Sequence, residues 1–128
     1  MTVVLDTNIY ISALLCRGNE FRLVQNSSKF KIKISQEILD EIKLVLSRDF
    51  HFLMANKAIE TIKEVAETIE VHEKFDVITE DAADNRVLEC AAAAKADYVV
   101  SGDKHLLKRK EFKGISIVNS AGFLKVIS

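Results

Sequence analysis

The 128-residue sequence predicts an α/β fold, a sandwich in which helices flank a central, mostly parallel sheet. Strand-like and helix-like stretches alternate along the whole chain, which is typical of parallel strands joined by helices. Two of the predicted strands run directly into an aspartate. Proline is absent, and the four glycines stand at predicted element boundaries. No linker or shift in composition divides the chain, so we expect a single domain spanning residues 1–128.

Apolar periodicity places the elements one after another. The first part of the chain has a strand at Val3–Leu5, helices at about 8–16 and 20–26, an alternating strand at 29–35, and a helix at 35–50 that Ser35 caps. The second part has a helix at 58–71, an edge strand at 69–72 or 75–78, an alanine-rich helix at 84–96, a strand at 97–103, one helical turn at 105–107, and a last strand and helix within 114–128.

Composition excludes several classes of protein. The formal net charge is −1, so no overall basic field attracts nucleic acid and any such partner must be held locally. Cys16 and Cys90 are far apart and lack ligand spacing, and we interpret both as small buried side chains of a reducing compartment. The sequence shows neither an export signal nor an apolar run of membrane-spanning length. We therefore expect a cytoplasmic protein without a membrane anchor.

Two predicted strands end in an acid. Asp6 follows the apolar residues VVL, and Asp103 follows YVVSG. A carboxylate after a buried strand costs free energy unless its charge is needed. In an open parallel sheet, ligands bind outside the carboxyl ends of the strands, where the strand order reverses. If these two strands are neighbours, both carboxylates lie at the same edge.

Two helical acids also point toward the predicted core. On the helix at 35–50, Glu41 lies about 40° outside the apolar arc, at the border of the buried face. On the alanine-rich helix, Asp84 projects between Leu88 and Ala91, in the middle of the apolar stripe and in the first turn. Asp81 stands further out as a fifth candidate.

Each acid also has a purely structural interpretation. Asp84 fits a helix N-cap, because aspartate is a favoured cap residue and suits the positive end of a helix. Asp103 fits ordinary turn chemistry in the sequence SGD. Glu41 alone fits a solvated helix flank. Asp6 is the hardest to explain structurally, because the end of a strand needs no charge.

The combination of Asp6, Glu41, Asp84 and Asp103 predicts a metal site. Two carboxylates about 4 Å apart repel by roughly 4 kcal/mol at an effective dielectric constant near 20. Four such groups at one edge need compensation, and a divalent cation supplies it. A set of oxygen ligands without histidine or thiolate selects Mg²⁺ or Mn²⁺ over zinc.

Four sequence blocks together resemble the PIN-domain family. They are VVLDTN at the start, SQEILDEI around Glu41, DAADNRVLECA around Asp84, and ADYVVSGDKHLL around Asp103. They occur in the family's order and span nearly the whole chain. The resemblance extends to VapC-like ribonucleases, the toxins of prokaryotic toxin–antitoxin pairs. In DAADN the family motif needs only DN, so we interpret Asp81 as a solvated turn.

The resemblance implies a function and a set of site residues. The acids Asp6, Glu41, Asp84 and Asp103 match the family's metal-binding positions, and Asn8 and Ser101 match polar positions that orient carboxylates or substrate. It also implies a five-stranded parallel sheet in a three-layer α/β/α sandwich, RNA hydrolysis with Mg²⁺ or Mn²⁺ that leaves a 5′-phosphate, frequent homodimers, and a cognate antitoxin.

Other interpretations remain open at the level of sequence. The basic stretch Lys104–Lys110 and Arg17 fit phosphate contacts, although each also fits a solvated surface cation. His105 fits a surface or packing residue better than an acid–base catalyst. An aspartyl phosphatase would have a second aspartate where this chain has Asn8. A PIN-like module that binds RNA or protein without catalysis would lack one or more of the acids, and all four are present.

Overall fold

The computed structural model describes residues 1–128 and contains a six-stranded sheet flanked by helices. The strands are β1 Thr2–Leu5, β2 Lys31–Ser35, β3 Ala66–Ile69, β4 Tyr98–Val100, β5 Glu111–Phe112 and β6 Ile115–Val118. The helices are α1 Thr7–Leu15, α2 Asn19–Gln25, α3 Gln36–Asp49, α4 Phe52–Val65, α5 Ala82–Ala94, α6 Lys104–Arg109 and α7 Ser120–Ile127, with one 3₁₀ turn at Ser27–Lys29. The predicted fold class is confirmed.

The sheet order is β3-β2-β1-β4-β6-β5, and all pairings are parallel except that of β5 with β6. The chain moves from β1 outward to β3 and then returns to place β4 on the other side of β1. The strand order therefore reverses between β1 and β4, which are the two strands followed by acids. The register sets Leu5 beside Val100, so the residues after them meet at one edge. The two strands are therefore neighbours, which is the condition on which the shared edge of the two acids depended.

The core forms where helices cover this sheet. Val3, Val4 and Leu5 are fully buried because β1 lies in the middle of the sheet with helices packed against it. The α3 residues Ile38 and Ile42 are buried as their helical spacing predicts. Ser35 caps α3 by accepting a hydrogen bond from the Ile38 amide at 3.3 Å, as predicted. No helix combines the length and the apolar character that crossing a bilayer requires.

The predicted helix at 58–71 is wrong at both ends. Helix α4 begins at Phe52, where the His51 side chain accepts a hydrogen bond from the Leu53 amide, and it ends at Val65. The next four residues form β3, which pairs in parallel with β2. The apolar spacing of these four residues also fits a helix. They form a strand instead because they pair with β2. The segments proposed as edge strands, 69–72 and 75–78, share only Ile69 with β3.

Two smaller expectations also need correction. The sheet has six strands and not five, because Glu111–Phe112 folds back as a two-residue antiparallel strand on β6. The predicted single turn at 105–107 is part of the six-residue α6. Cys90 is buried as expected, whereas Cys16 is exposed at the end of α1, where the chain leaves the helix on the protein surface.

Candidate functional site

The edge between β1 and β4 is held together by hydrogen bonds among polar residues. The Asp6 amide donates to the Val100 carbonyl at 2.9 Å, which extends the β1–β4 pairing by one residue. The fully buried Ser101 hydroxyl donates to Asp6 Oδ2 at 2.7 Å and accepts from the Asp103 amide at 2.9 Å. Ser101 therefore links the two acids that follow the strands.

The Asp103 carboxylate caps a helix and also lies close to other acids of the site. Its Oδ1 caps α6 by accepting hydrogen bonds from the His105 amide at 2.7 Å and the Leu106 amide at 3.3 Å. The predicted turn chemistry is thus present. The same carboxylate also lies close to the acids at the start of α5. Capping of α6 does not explain why these acids are so near to it.

The N-cap of α5 is Asp81, and Asp84 lies inside the first turn. Asp81 Oδ1 accepts a hydrogen bond from the Ala83 amide at 3.0 Å, and the Asp81 carbonyl accepts one from the Asp84 amide. The Asp84 side chain is 3% exposed, and its Oδ2 atom is buried without any hydrogen-bond partner. The interpretation of Asp84 as a cap is therefore wrong, and a buried oxygen without a donor suggests that a ligand satisfies it.

Asp81, Asp84 and Asp103 form what we call the carboxylate cluster. Each offers one oxygen, and these oxygens lie within 4.8 Å of one another. None of the ion pairs of the protein includes an acid of this site. Burial above all, then the charges of Asp103, Asp6 and Asp81 and a side-chain interaction with Asp103, together raise the pKa of Asp84 to about 8. The protein itself supplies no cation to neutralise the cluster.

Asp6 and Glu41 stand beside the carboxylate cluster and respond to its charge. Burial raises the pKa of Asp6, the Ser101 hydroxyl and Thr7 amide lower it, and Asp103 and Asp81 raise it again. Glu41 is partly buried on α3, and its pKa is raised by burial, by Asp6 and by Asp81. The structure thus places the two acids in the electrostatic neighbourhood of the cluster but outside its 4.8 Å group.

The remaining predicted residues differ in their placement. Asn8 lies in the first turn of α1, two residues after Asp6, and its side chain is exposed and has no hydrogen bond to the protein. Asp81 is exposed, as a solvated turn would be, but its carboxylate also belongs to the cluster. The sequence interpretation of Asp81 was therefore incomplete, because cap and ligand geometry are both available to an aspartate at this position.

The set of donors fits a hard divalent cation. All the available ligand atoms are carboxylate oxygens, which Mg²⁺ and Mn²⁺ prefer, and neither cysteine nor histidine joins the group. The buried and unpartnered Oδ2 of Asp84 is an oxygen of the same kind. A cation would satisfy this atom and offset the mutual repulsion of the acids.

A comparison with family models decides the classification. Residues 2–105 match the model of the PIN domain, which covers most of the chain. The chain belongs to the PIN-domain family. The resemblance seen in the sequence is thereby confirmed, and this PIN domain has an acidic site at the expected strand ends.

Solved structures show the same fold at low sequence identity. VapBC2 from Rickettsia felis, crystallised with a DNA fragment from its promoter, is 17% identical with a TM-score of 0.71, and the match covers 93% of this chain and 98% of that one. VapBC-1 from nontypeable Haemophilus influenzae is 15% identical with a TM-score of 0.68, covering 94% and 99%. No curated protein matches this chain.

Two buried polar residues of this PIN domain escaped the sequence analysis. Asn85 accepts hydrogen bonds from the Val77 and Ile78 amides at 2.9 and 2.8 Å and donates to the Ile78 carbonyl at 2.7 Å. Glu89 accepts from the Phe75 amide at 2.8 Å. Both side chains are 2% exposed. They fix the loop before α5, and the available signal was a pair of polar residues four apart on a helix otherwise rich in alanine.

Proposed function

We propose that this PIN domain is a metal-dependent endoribonuclease that hydrolyses phosphodiester bonds of RNA. The observation that carries this proposal is the carboxylate cluster, in which the buried Oδ2 of Asp84 has no partner and no basic side chain offsets the charge. Such an arrangement is costly in a protein that has no use for it. Membership of the PIN-domain family supports nuclease chemistry at this site.

The proposed ligands of Mg²⁺ or Mn²⁺ are Asp6, Glu41, Asp84 and Asp103, to which the structure suggests adding Asp81. A divalent cation bound there would lower the pKa of a water molecule and shield the phosphate from an attacking nucleophile. The Ser101 hydroxyl donates to Asp6 Oδ2 and so restrains the orientation of that carboxylate. Asn8 is exposed beside Asp6 and is free to contact either substrate or carboxylate.

The biological role that we propose is that of a toxin with a cognate antitoxin protein, acting as a homodimer. Family membership supports this role, and so does the common fold with proteins named VapBC in two organisms. Expression of the chain alone tests it. Growth should stop with the wild type and continue with Asp6→Asn. Normal growth with a demonstrably active wild-type enzyme would contradict the toxin role.

The enzymatic proposal is tested by cleavage of single-stranded RNA. We expect cleavage with Mg²⁺ or Mn²⁺, none in excess chelator, and none by the Asp6→Asn variant, which should remain folded. Asp76→Asn is a matched control, since Asp76 is an exposed acid outside the site. Equal cleavage with and without chelator would contradict the mechanism. Binding of RNA without cleavage would instead favour a non-catalytic PIN-like module.

A further inference from the structure

A cleft next to the carboxylate cluster has no assigned role. Its volume is about 370 Å³, and we call it the basic cleft. The lining residues are Val77, Ile78, Thr79, Glu80, His105, Lys108 and Arg109. A volume of this size lies near the lower end of small-molecule pockets, which span roughly 300–1,000 Å³. The cleft therefore has room for one small ligand group.

Both walls of the basic cleft lead to the carboxylate cluster. One wall is the segment 77–80, which continues directly into Asp81. The other wall is α6, which starts after Asp103 and is fixed by the bond from the His105 amide to the Asp103 carboxylate. Since the oxygens of Asp81 and Asp103 lie within 4.8 Å of each other, the walls converge at the cluster. A ligand in the cleft is adjacent to the proposed reaction centre.

The first half of the segment 77–80 is held in place although it has no regular secondary structure. The Asn85 side chain accepts hydrogen bonds from the Val77 and Ile78 amides and donates one to the Ile78 carbonyl, so this part of the wall is fixed by α5. The amides of Thr79 and Glu80 donate no hydrogen bond to any protein acceptor. These two donors are available to a ligand.

The basic side chains of the opposite wall, helix α6, form no ion pairs within the protein. Lys108 and Arg109 are exposed on α6, and neither forms an ion pair with a carboxylate. Arg109 stacks its guanidinium over the Phe112 ring at 5.9 Å, which orients the group without neutralising it. Glu80 is the one acidic side chain of the cleft. Two cations without carboxylate partners, together with amides that donate to no protein acceptor, are complementary to the phosphate of a nucleotide.

We propose that the basic cleft binds one unpaired nucleotide of the substrate, next to the scissile phosphodiester, with Lys108 and Arg109 contacting its phosphate. This inference rests on the proposed ribonuclease function. It adds to that function the direction in which the bound RNA strand leaves the carboxylate cluster. It also makes the enzyme selective for single strands, because only an unstacked base can enter a cleft of this size.

The test is a binding measurement that does not depend on cleavage. A fluorescent single-stranded RNA of about eight nucleotides, within the range of single-strand binding sites, is titrated in chelator and followed by anisotropy. The variant is Lys108→Gln/Arg109→Gln, which keeps the aliphatic stems. The matched control is Lys57→Gln/Lys63→Gln, since both lysines are exposed on α4 and outside any ion pair.

We expect the cleft variant to bind the single strand at least about tenfold more weakly, and the control to bind as the wild type does. The slope of log K against log salt should decrease by about 0.7, since the variant loses the one phosphate that both cations contact and each neutralised phosphate of a single strand contributes about 0.7. A duplex of the same sequence should compete poorly. An equal loss in both variants, wild-type binding by the cleft variant, or equally tight duplex binding would overturn the inference.

The two proposals fail separately. If RNA binding depends on Lys108 and Arg109 but the wild type never cleaves RNA with metal, the ribonuclease function falls and the nucleotide site stands. If the wild type cleaves RNA and the cleft variant retains its affinity and KM, the nucleotide site falls and the function stands. With both correct, the cleft variant raises KM more than it lowers kcat.

Discussion

Replacing Asp84 with asparagine should stabilise the metal-free protein while removing its response to metal. The substitution keeps the size and shape of the side chain but removes a charge from the carboxylate cluster. At 4.8 Å two full charges repel by about 3.5 kcal/mol at an effective dielectric constant near 20, and by about 0.9 kcal/mol in a water-like medium. Since Asp84 is buried and Asp81 is exposed, we expect a gain of about 1–3 kcal/mol.

The effect has to be measured where Asp84 is ionised. Its pKa of about 8 makes pH 9 suitable, because at lower pH the wild type avoids repulsion by holding a proton. Urea denaturation in chelator gives the free energy of unfolding of wild type and variant. The substitution of Asp84 by asparagine removes no hydrogen bond at Oδ2, because this atom has no hydrogen-bond partner in the wild type.

Addition of Mg²⁺ should reverse the order of stability. Free metal at 100 times its dissociation constant adds about 2.7 kcal/mol to the wild type. In a chain of this length that corresponds to roughly 8–13 °C in Tm. The Asp84→Asn variant should gain far less, while Asp76→Asn should gain as the wild type does. A variant that is less stable than the wild type in chelator, or that gains equally with Mg²⁺, would refute the reasoning.

Three further predictions concern the surroundings of the cluster. Asn85→Ala removes three hydrogen bonds and leaves buried backbone groups of Ile78 without partners, so the free energy of unfolding should fall by about 2–4 kcal/mol in urea titrations. Ser101→Ala removes the hydroxyl that lowers the pKa of Asp6, so calorimetry at pH 6 should show weaker Mn²⁺ binding. In chelator, stability should decrease as the pH rises from 4 to 8, by up to about 1 kcal/mol per pH unit, because folding raises the pKa of Asp84 from 3.8 to about 8 and the folded state holds the proton.

Each of these predictions has a control. Asn26→Ala alters a partly buried side chain with a single hydrogen bond and should change stability far less than Asn85→Ala. Ser47→Ala, on the exposed part of α3, should leave metal binding unchanged at every pH. Saturating Mg²⁺ should flatten the pH dependence, since the metal binds the ionised form. Stability that rises from pH 4 to 8 in chelator would contradict the placement of Asp84.

The sequence allowed the central part of the site to be predicted because strand polarity and helix phase are local properties. An apolar run ending at Asp6 and a second ending near Asp103 required only that β1 and β4 be neighbours, and the register confirms it. The phase of α5 placed Asp84 on the inward face, where the structure buries it. These positions follow from chain geometry with little help from distant contacts.

The predictions that were wrong or incomplete concern features that depend on contacts between residues far apart in the sequence. Whether Ala66–Ile69 continues α4 or forms β3 depends on β2, which lies some 30 residues earlier and offers a free edge. The role of Asn85 depends on the path of the loop at 75–78, which no periodicity specifies. Asp81 caps α5 through a hydrogen bond and also contributes an oxygen to the carboxylate cluster. The local sequence does not distinguish these two roles from that of a solvated turn residue.

A crystal soaked in Mn²⁺ and measured at the manganese absorption edge tests the central claim most directly. The account predicts anomalous density between Asp84 and Asp103, with Oδ2 of Asp84 as a ligand and the density lost in the Asp84→Asn variant. Saturating Mn²⁺ without density at this position, or with an unchanged peak in the variant, would contradict it.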